Sequence, residues 1–400
     1  SALQALVDNG IANALLGPIF SFGTIAGDGV VNATERAQPV VLGGTVSNLE
    51  TGRTVSVTVT SVAQPSVTWT GTTTVLAGGQ WLVSVPGGTL TAEGSYSVDA
   101  SGTNIAAQTH NGTTTFTVAT VAPAVAISSL QVNGTALSLA GSQHTLSASD
   151  YTRLLGPDQA AAGGDDLPLV ISGTSTANGQ TLVLRLNNQT YTTTISGGVW
   201  SISLPSAQAQ ALVHGNSYAV QVSTTDANGN ASSVVQSTLV INRATPDIPT
   251  IRPLLTNDST PALDGTAQKL VIGSSPASYV ALGSGDVISV TLTPASGAAH
   301  TYTYTVGTVA NALSYNAGTS TWALQVPAGD ALADGTCEVL VSVTSGSGGT
   351  AVTKTDISVG ELQLDTVKPA APLNVSITDA VLPVTGPLLS GGLSNDSRPV

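Results

Sequence analysis

The sequence predicts an all-β chain built from repeated two-layer β-sandwich modules, and three observations support that prediction. A segment with a Trp, alternating apolar residues and a closing Pro occurs three times, beginning at Trp81, Trp200 and Trp322. Within each copy the apolar residues alternate with small or polar ones, as in strands with one buried face. The copies lie about 120 residues apart, a spacing typical of whole domains rather than of solenoid repeats.

Each Trp segment is accompanied by two other matching strands in the same order. Upstream, a strand carries Gly-Thr, at Gly44-Thr45, Gly173-Thr174 and Gly265-Thr266. Downstream, a strand begins with Gly and has an inward-facing position occupied by Tyr96, Tyr218 and Cys337. We expect Cys337 to fill the core rather than to react, because it alternates with Val339 and Val341. Three anchors in one order, three times, predict three equivalent modules.

The composition fits many short strands joined by turns. The 400 residues carry 23 acidic and 10 basic groups, and only 8% of them are charged while 41% are hydrophobic. A net charge of −13 excludes the basic surface on which nucleic-acid binding depends. No apolar run approaches the ~20 residues that a membrane-spanning helix needs. We therefore expect no nucleic-acid partner and no membrane insertion.

The anchors divide the chain into five segments. Residues 1–19 are predicted to be a linker or packing segment, because the helix-like spacing of their apolar residues ends at Gly17-Pro18. Residues 20–121, 122–245 and 246–367 are predicted to be modules 1, 2 and 3. Residues 368–400 would begin a fourth module. Met is absent throughout, so we expect the chain to be part of a longer protein.

The opening of module 1 and the late loop of module 2 resemble a known family. Residues 24–35 read TIAGDGVVNATE, and the late loop reads Asp226-Ala227-Asn228-Gly229-Asn230. Together with the Gly-Thr, Trp, Pro and Gly-x-Tyr anchors, these phrases resemble the bacterial Ig-like repeats of giant type I-secreted (RTX/biofilm-associated) surface adhesins. The resemblance covers about residues 20–400 and implies tandem Ig-like β-sandwich modules in an extended array. At ~35–45 Å per module, three modules would reach on the order of 110–130 Å.

The same resemblance implies calcium at or near the junctions between modules. Hard cations take carboxylate, amide and backbone oxygens, and residues of those types lie at the predicted module ends. The candidate metal ligands are Asp28, Asn32, Glu35, Asp99, Asp226, Asn228, Asp258 and Asp365. A calcium ion shared by two modules would favour a stiff rod. The alternative is that Asp and Asn in these turns only cap their own backbone.

The sequence contains no arrangement that indicates catalysis, so we expect no enzyme. Neither a Gly-x-Ser-x-Gly elbow nor a His-Glu-x-x-His motif occurs. The histidines are isolated and are expected to be satisfied surface residues; they are His110, His144, His214 and His300. Trp69 is compatible with a carbohydrate site or with a half-buried position in a strand.

The function that the sequence favours is extension. The chain would be a stalk of a secreted adhesin on the bacterial cell surface, holding a distal binding domain away from the cell for attachment or biofilm formation. Its partners would be neighbouring modules of the same chain, with other copies of itself as a further candidate. Two alternatives stay open: a subunit of a self-assembling surface layer or filament joined by strand addition, and accessory modules of a secreted enzyme.

Overall fold

A computed structural model describes residues 16–158, 164–346, 351–370, 377–379 and 386–388. Within these ranges the chain consists of β-strands with a few short helices, which confirms the all-β prediction. The expectations for residues 1–15, and for most of the predicted fourth module, lie outside the described residues. Residues up to Arg243 with Ile272–Ser275 form one compact unit, and Ala244–Val271 with the residues from Pro276 form the second. No helix in the described part is both long and apolar enough to cross a membrane.

Module 1 is a sandwich of two sheets with strand orders β1-β3-β6 and β2-β8-β7-β4-β5. The strands are β1 Ile19–Phe22, β2 Val30–Val31, β3 Val40–Ser47, β4 Thr54–Ser61, β5 Thr68–Thr74, β6 Gln80–Val85, β7 Gly94–Thr103 and β8 Thr109–Val118. A helix, Ala33–Arg36, follows β2. Trp81 is fully buried in the core between the sheets, and the rings of Phe20 and Phe22 meet it edge-on at centroid distances of 6.3 and 5.5 Å.

Module 2 has sheets of order β10-β9-β13-β16 and β11-β12-β18-β17-β14-β15. Its strands are β9 Val125–Val132, β10 Thr135–Ala136, β11 Ser138–Ala140, β12 Gln143–Ser147, β13 Leu169–Ser175, β14 Thr181–Leu186, β15 Gln189–Thr194, β16 Val199–Leu204, β17 Ser217–Thr224 and β18 Val235–Asn242. Its helices are Ala148–Leu154 and Ser206–Gln210. Trp200 belongs to a second core, separate from that of module 1.

The second unit contains a third core, which is built around Trp322. Its sheets have orders β19-β22-β23, β21-β27-β26 and β20-β30-β28-β24-β25, with β29 also paired to β28. The strands of these sheets are β19 Ala244–Pro246, β20 Leu254–Thr256, β21 Ala262–Thr266, β22 Gln268–Val271, β23 Tyr279–Ala281, β24 Val287–Pro294, β25 His300–Thr305, β26 Leu313–Asn316, β27 Thr321–Gln325, β28 Gly335–Ser345, β29 Val352–Thr355 and β30 Leu362–Leu364. Two further strands, β31 Ile377–Asp379 and β32 Gly386–Leu388, lie among the residues predicted to begin a fourth module and form a two-stranded sheet with each other. The predicted module boundaries stay a prediction, but each Trp occupies its own core.

The Gly of each Gly-Thr anchor lies directly opposite the Trp of the same module. The pairs are Gly44 with Trp81, Gly173 with Trp200 and Gly265 with Trp322. A Cβ atom added to any of the three glycines would overlap the backbone carbonyl of an adjoining segment, at Ser21, Ala126 and Thr250 respectively. Glycine is therefore required here by close backbone approach rather than by a turn.

The structure explains why Tyr96, Tyr218 and Cys337 occupy the equivalent inward position of β7, β17 and β28. The Tyr96 hydroxyl donates to the carbonyl of Ala92 at 3.1 Å and accepts from the Ala92 amide at 2.9 Å. The Tyr218 hydroxyl accepts from the Val213 amide at 2.9 Å. These bonds have the form of the tyrosine corner of Ig-like sandwiches. Cys337 is buried at this position, and burial raises the pKa of its thiol to about 11, which confirms its role as a core residue.

The expectation that all histidines lie on the surface is wrong for His144. This residue lies in β12 with only 5% of its surface exposed, and its Nδ1 has no hydrogen-bond partner in the described structure. It alternates with buried Leu146, so the period-2 pattern did indicate an inward position. Trp69 lies in the edge strand β5 and is partly buried against the core of module 1. That packing favours the strand interpretation of Trp69.

Candidate functional site at the junction of modules 1 and 2

The helix Ala33–Arg36 of module 1 begins with a capping box formed by Asn32 and Glu35. The Asn32 Oδ1 accepts hydrogen bonds from the amides of Thr34 and Glu35, both at 3.0 Å. In return, the Glu35 Oε2 accepts from the Asn32 amide at 3.0 Å. The first amides of a helix have no partner inside it, and this box satisfies its members while leaving the Ala33 amide for an external acceptor.

The same element recurs in module 2, directly after β12. The Ser147 Oγ accepts from the Asp150 amide at 3.3 Å, and the Asp150 Oδ2 accepts from the Ser147 amide at 2.9 Å. This capping box opens the helix Ala148–Leu154. Ser147 and Asp150 are therefore the counterpart in module 2 of the Asn32 and Glu35 pair. An N-cap residue followed three positions later by an acid is the signal for both.

The late loop of module 2 is organised by the carboxylate of Asp226. Its Oδ1 accepts from the amides of Asn228 at 2.9 Å and of Asn230 at 2.8 Å. Gly229 takes a φ of +86°, a left-handed conformation that glycine adopts without steric cost. The turn therefore holds the side chain of Asn230 in one position.

Asn230 connects this loop to module 1. Its Oδ1 accepts from the Ala33 amide at 2.9 Å, and its Nδ2 donates to the Ala119 carbonyl, also at 2.9 Å. The Nδ2 donates in addition to the Asp226 Oδ2 at 3.0 Å. The residue is only 3% exposed. One amide side chain thus makes hydrogen bonds to the helix of module 1, to the linker between the modules and to the loop that carries it.

Module 1 holds the same linker from the other side through Glu93. The Glu93 Oε2 accepts from the Thr120 amide at 2.9 Å, and the Thr120 hydroxyl donates to Oε1. The Arg36 guanidinium lies 3.7 Å from the same carboxylate. Consecutive linker residues, Ala119 and Thr120, are therefore bound by module 2 and module 1 respectively. This arrangement restricts the direction in which the chain passes between the two sandwiches.

Four of the predicted ligand residues lie at this junction. They are Asn32, Glu35, Asp226 and Asn228. Other predicted ligands form local turns of the kind that the alternative interpretation expects. The Asp28 Oδ1 accepts from the Val30 amide at 2.8 Å, the Asp258 Oδ1 from the Thr260 amide at 2.8 Å, and the Asp365 Oδ1 from the Val367 amide at 3.3 Å.

The expected position of Asp99 is corrected. Asp99 lies inside β7, paired with Thr58 and Thr113, and not in a loop at the module end. The loop position belongs to Asn104, whose Oδ1 accepts from the amides of Ala106 and Gln108 at 3.1 and 3.0 Å. The sequence signal for this loop position is its distance from the tyrosine anchor. Asn104 follows Tyr96 by the same number of residues as Asp226 follows Tyr218.

The donor types at the junction are those that calcium takes, namely carboxylate and amide oxygens. The Glu35 Oε2 and the Asp226 Oδ1 already accept hydrogen bonds from backbone amides. The second oxygen of Asp226 accepts from the Asn230 side-chain amide. In the part of the chain that the structure describes, no group of three or more His, Cys, Asp and Glu side chains could hold a metal ion. Any ion here would therefore depend mainly on amide and backbone oxygens, with Asp226 and Glu35 as the carboxylates.

No protein-family model and no curated protein matches the chain. Among solved structures, one concerns host cell surface retention of a 1.5-MDa bacterial ice-binding adhesin; it is 21% identical, the match covers 88% of this chain and 99% of that one, and the TM-score is 0.37. A Ca2+-stabilized adhesin that helps an Antarctic bacterium to reach out and bind ice is 26% identical, with 87% and 74% covered and a TM-score of 0.37. A tetra-tandem repeat in the extending region of a large adhesion protein is 21% identical, with 88% and 74% covered and a TM-score of 0.33.

All three TM-scores lie below 0.5, so the fold assignment rests on the sheets and cores of this chain. The solved structures belong to the class of protein that the sequence itself resembles. The chain is thus similar to parts of large bacterial adhesins.

Proposed function

We propose that the chain is part of the stalk of a bacterial surface adhesin, where it separates a distal binding domain from the cell. The observation that carries the proposal is the junction of modules 1 and 2, where Asn230 and Glu93 bind consecutive residues of the linker from opposite sides. A stalk stays extended only if its modules resist bending at their junctions. Hydrogen bonds that fix both linker residues supply that resistance.

The surface charge suits this role. A net charge of −13 keeps copies of a secreted rod from associating, because like charges repel.

The hydrogen bonds of Asn230 are directional as well as stabilising, with each neutral bond contributing about 0.5–1.5 kcal/mol. Attachment and biofilm formation would be properties of the parent protein, and the modules described here would contribute reach.

Small-angle scattering of the full chain tests the extended array. A compact domain of 400 residues would have a radius of gyration of about 21 Å. We expect a larger value and a maximum dimension on the order of 110 Å or more from three modules in line. A radius of gyration near that of the compact domain would contradict the proposal. Regular polymers in electron micrographs of the purified chain would instead favour the filament alternative.

Calcium binding by this chain is a separate part of the proposal, supported by residue type and by the Ca2+-stabilized adhesin to which the chain is similar. At the junction, Asp226 and Glu35 would supply carboxylates, and Asn32 and Asn228 amide oxygens. When bound, the ion would neutralise the two carboxylates and add its binding energy to the ordered junction. Asp28, Asp258 and Asp365 are proposed as ligands in addition to this set, and Asp99, which lies inside β7, as a ligand of a site apart from the junction.

Titration calorimetry with calcium chloride tests this part, using the full chain after chelator treatment. We expect binding that weakens at least tenfold in Asp226→Asn, because a carboxylate is a far better calcium ligand than an amide. Asp99→Asn is the matched control and should leave the affinity unchanged if the site is at the junction. The absence of heat and of any calcium-dependent rise in melting temperature would contradict calcium binding while leaving the stalk proposal intact.

A further inference from the structure

The hydrogen bond from the Thr120 amide to the Glu93 side chain has a counterpart in each of the other two modules. We call such a contact, in which the residue before a Gly accepts from a backbone amide after the last strand, an exit clamp, or clamp. In module 2 the His214 Nδ1 accepts from the Arg243 amide at 3.1 Å. In the second unit the Asp334 Oδ1 accepts from the Thr366 amide at 2.7 Å and also from the Thr366 hydroxyl. Glu93, His214 and Asp334 are chemically different, but each directly precedes a Gly. Gly94 and Gly335 begin the strands that carry Tyr96 and Cys337, and Gly215 lies two residues before the strand that carries Tyr218.

The donors are equivalent as well. Thr120, Arg243 and Thr366 are the first or second residues after the last strand of their modules, because β8 ends at Val118, β18 at Asn242 and β30 at Leu364. Each donor is followed three residues later by a proline, at Pro123, Pro246 and Pro369. Proline restricts the backbone and removes an amide donor. Each clamp therefore binds the chain just before a stiffened stretch.

The sheet register explains why this position reaches the exit of the module. Gly94 pairs with Val118 and Gly335 with Leu364, and the Gly215 amide donates to the Ile241 carbonyl at 2.9 Å. The residue before each Gly therefore lies beside the residue that leaves the sheet. The three glycines have φ angles of +98°, +84° and +119°, a region that other residues rarely adopt. The left-handed turn is thus a common feature of the three clamps.

We propose that Glu93, His214 and Asp334 are positioning residues that set the direction in which the chain leaves each module. The shared requirement is a hydrogen-bond acceptor and not one chemical group, because carboxylate oxygens and an imidazole nitrogen accept at the same position. The proposal deepens the stalk function and rests on it, since a fixed exit direction matters only where modules are held in line.

Amide exchange measured by NMR on the full chain tests each clamp at its donor. We expect the Thr120 amide to exchange about 5- to 10-fold faster in Glu93→Ala, as for the loss of one hydrogen bond. Glu93→Gln keeps an acceptor and should retain most of the protection. The corresponding pairs are His214→Ala against His214→Asp, read at Arg243, and Asp334→Ala against Asp334→Asn, read at Thr366. Equal exchange in the Ala and the acceptor-bearing variants would overturn the proposal.

Spin-label distances test the direction of the exit at the junction of modules 1 and 2. Labels at Thr72→Cys and Thr192→Cys sit on exposed edge-strand positions of the two modules, and the buried thiol of Cys337 is not expected to react. We expect a narrow distance distribution that broadens in Glu93→Ala, narrows again in Glu93→Gln and is unchanged in the control Asp99→Ala. Circular dichroism should show all variants folded.

The outcomes separate the two proposals. A distribution that is narrow without mutation and unaffected by Glu93→Ala would refute the clamp and leave the stalk standing. A distribution that is already broad without mutation would contradict the stalk itself. Protection at Thr120 that depends on Glu93, observed together with a broad distribution, would show a hydrogen bond that does not set direction, and the positioning proposal would fail.

Discussion

The late loops of modules 1 and 2 have the same hydrogen-bond pattern and different residues. In module 1 the Asn104 amide donates to the Gln108 carbonyl at 3.1 Å, and in module 2 the Asp226 amide donates to the Asn230 carbonyl at 2.9 Å. The first side chain of each loop accepts two amides, two and four residues further on. The loop therefore keeps the same hydrogen-bond pattern in both modules, although its first residue is Asn104 in one and Asp226 in the other.

The difference lies in what an amide can do that a carboxylate cannot. Asn104 accepts with its oxygen and uses its Nδ2 to donate to the Leu16 carbonyl at 3.1 Å, so one residue both shapes the loop and binds the preceding chain. An ionised Asp226 can only accept. In module 2 the donor role passes to Asn230, which binds the Ala119 carbonyl. Two residues of module 2 thus share the work of one residue of module 1.

Removing the first side chain of each loop should give the largest effect and should distinguish the two loops. We expect Asp226→Ala to lower the free energy of unfolding by about 2–3 kcal/mol and Asn104→Ala by about 1–2 kcal/mol, because hydrogen bonds to a charged acceptor are stronger. Urea denaturation of the full chain, with exchange rates assigning the affected module, measures both. A larger loss for Asn104→Ala would reverse the comparison.

Asn230→Ala tests the division of roles in module 2. The change leaves the Ala33 amide and the Ala119 carbonyl without the partner they have in Asn230, and we expect a cost of about 1–2 kcal/mol. The Ala33 amide should exchange faster, whereas the Asn228 amide, which is held by Asp226, should keep its protection. Loss of protection at both amides would mean that Asn230 and Asp226 act as one unit.

Ala107→Gly should make the loop of module 1 more like that of module 2. Ala107 has a φ of +58° where module 2 has Gly229 at +86°, and a left-handed conformation costs a residue with a Cβ about 1–2 kcal/mol. Relief of this strain in Ala107→Gly is partly offset by the greater conformational freedom of glycine in the unfolded chain. We therefore expect the free energy of unfolding to rise by about 0.5–1 kcal/mol. Thermal unfolding measures it, and Gly229→Ala should change stability in the opposite direction.

The smallest expected effect is a pH dependence confined to module 2. Burial lowers the pKa of His144 below its usual 6.5, so the unfolded chain binds the proton more readily than the folded one. Stability should therefore be constant above about pH 6.5 and fall as the pH is lowered toward the folded-state pKa. His144→Leu should remove this decline, as followed by exchange in β12. An unchanged decline in the variant would assign it to other groups.

Several features followed directly from periodicity and spacing. The alternation around Trp81, Trp200 and Trp322 identified inward faces, and each of these residues is buried in its own core. The Gly-Thr anchors and the Tyr or Cys anchors identified strands that the structure contains. These predictions succeeded because a strand with one buried face leaves a local, period-2 record in the chain.

Residue type alone is a poor guide to loop positions in this chain. Asp99 has the acidic side chain that a late-loop ligand needs, but Asn104 holds the loop position at the matching distance from the tyrosine anchor. Glu93 and Asp334 carry no motif, and only their position before a positive-φ glycine indicates a role. Spacing from a core anchor was therefore the better guide, because register is set by the sheet and not by the loop.

The all-β class, the three anchors and the inward faces could be predicted from the chain alone, because each depends on neighbours along one strand. The folded chain was needed to show that Gly44, Gly173 and Gly265 lie against a crossing backbone, and that Asn230 binds Ala33 and Ala119. Those contacts join residues far apart in the chain, so no local pattern contains them. Strand pairing and module order bring such residues together only after the sheets have formed.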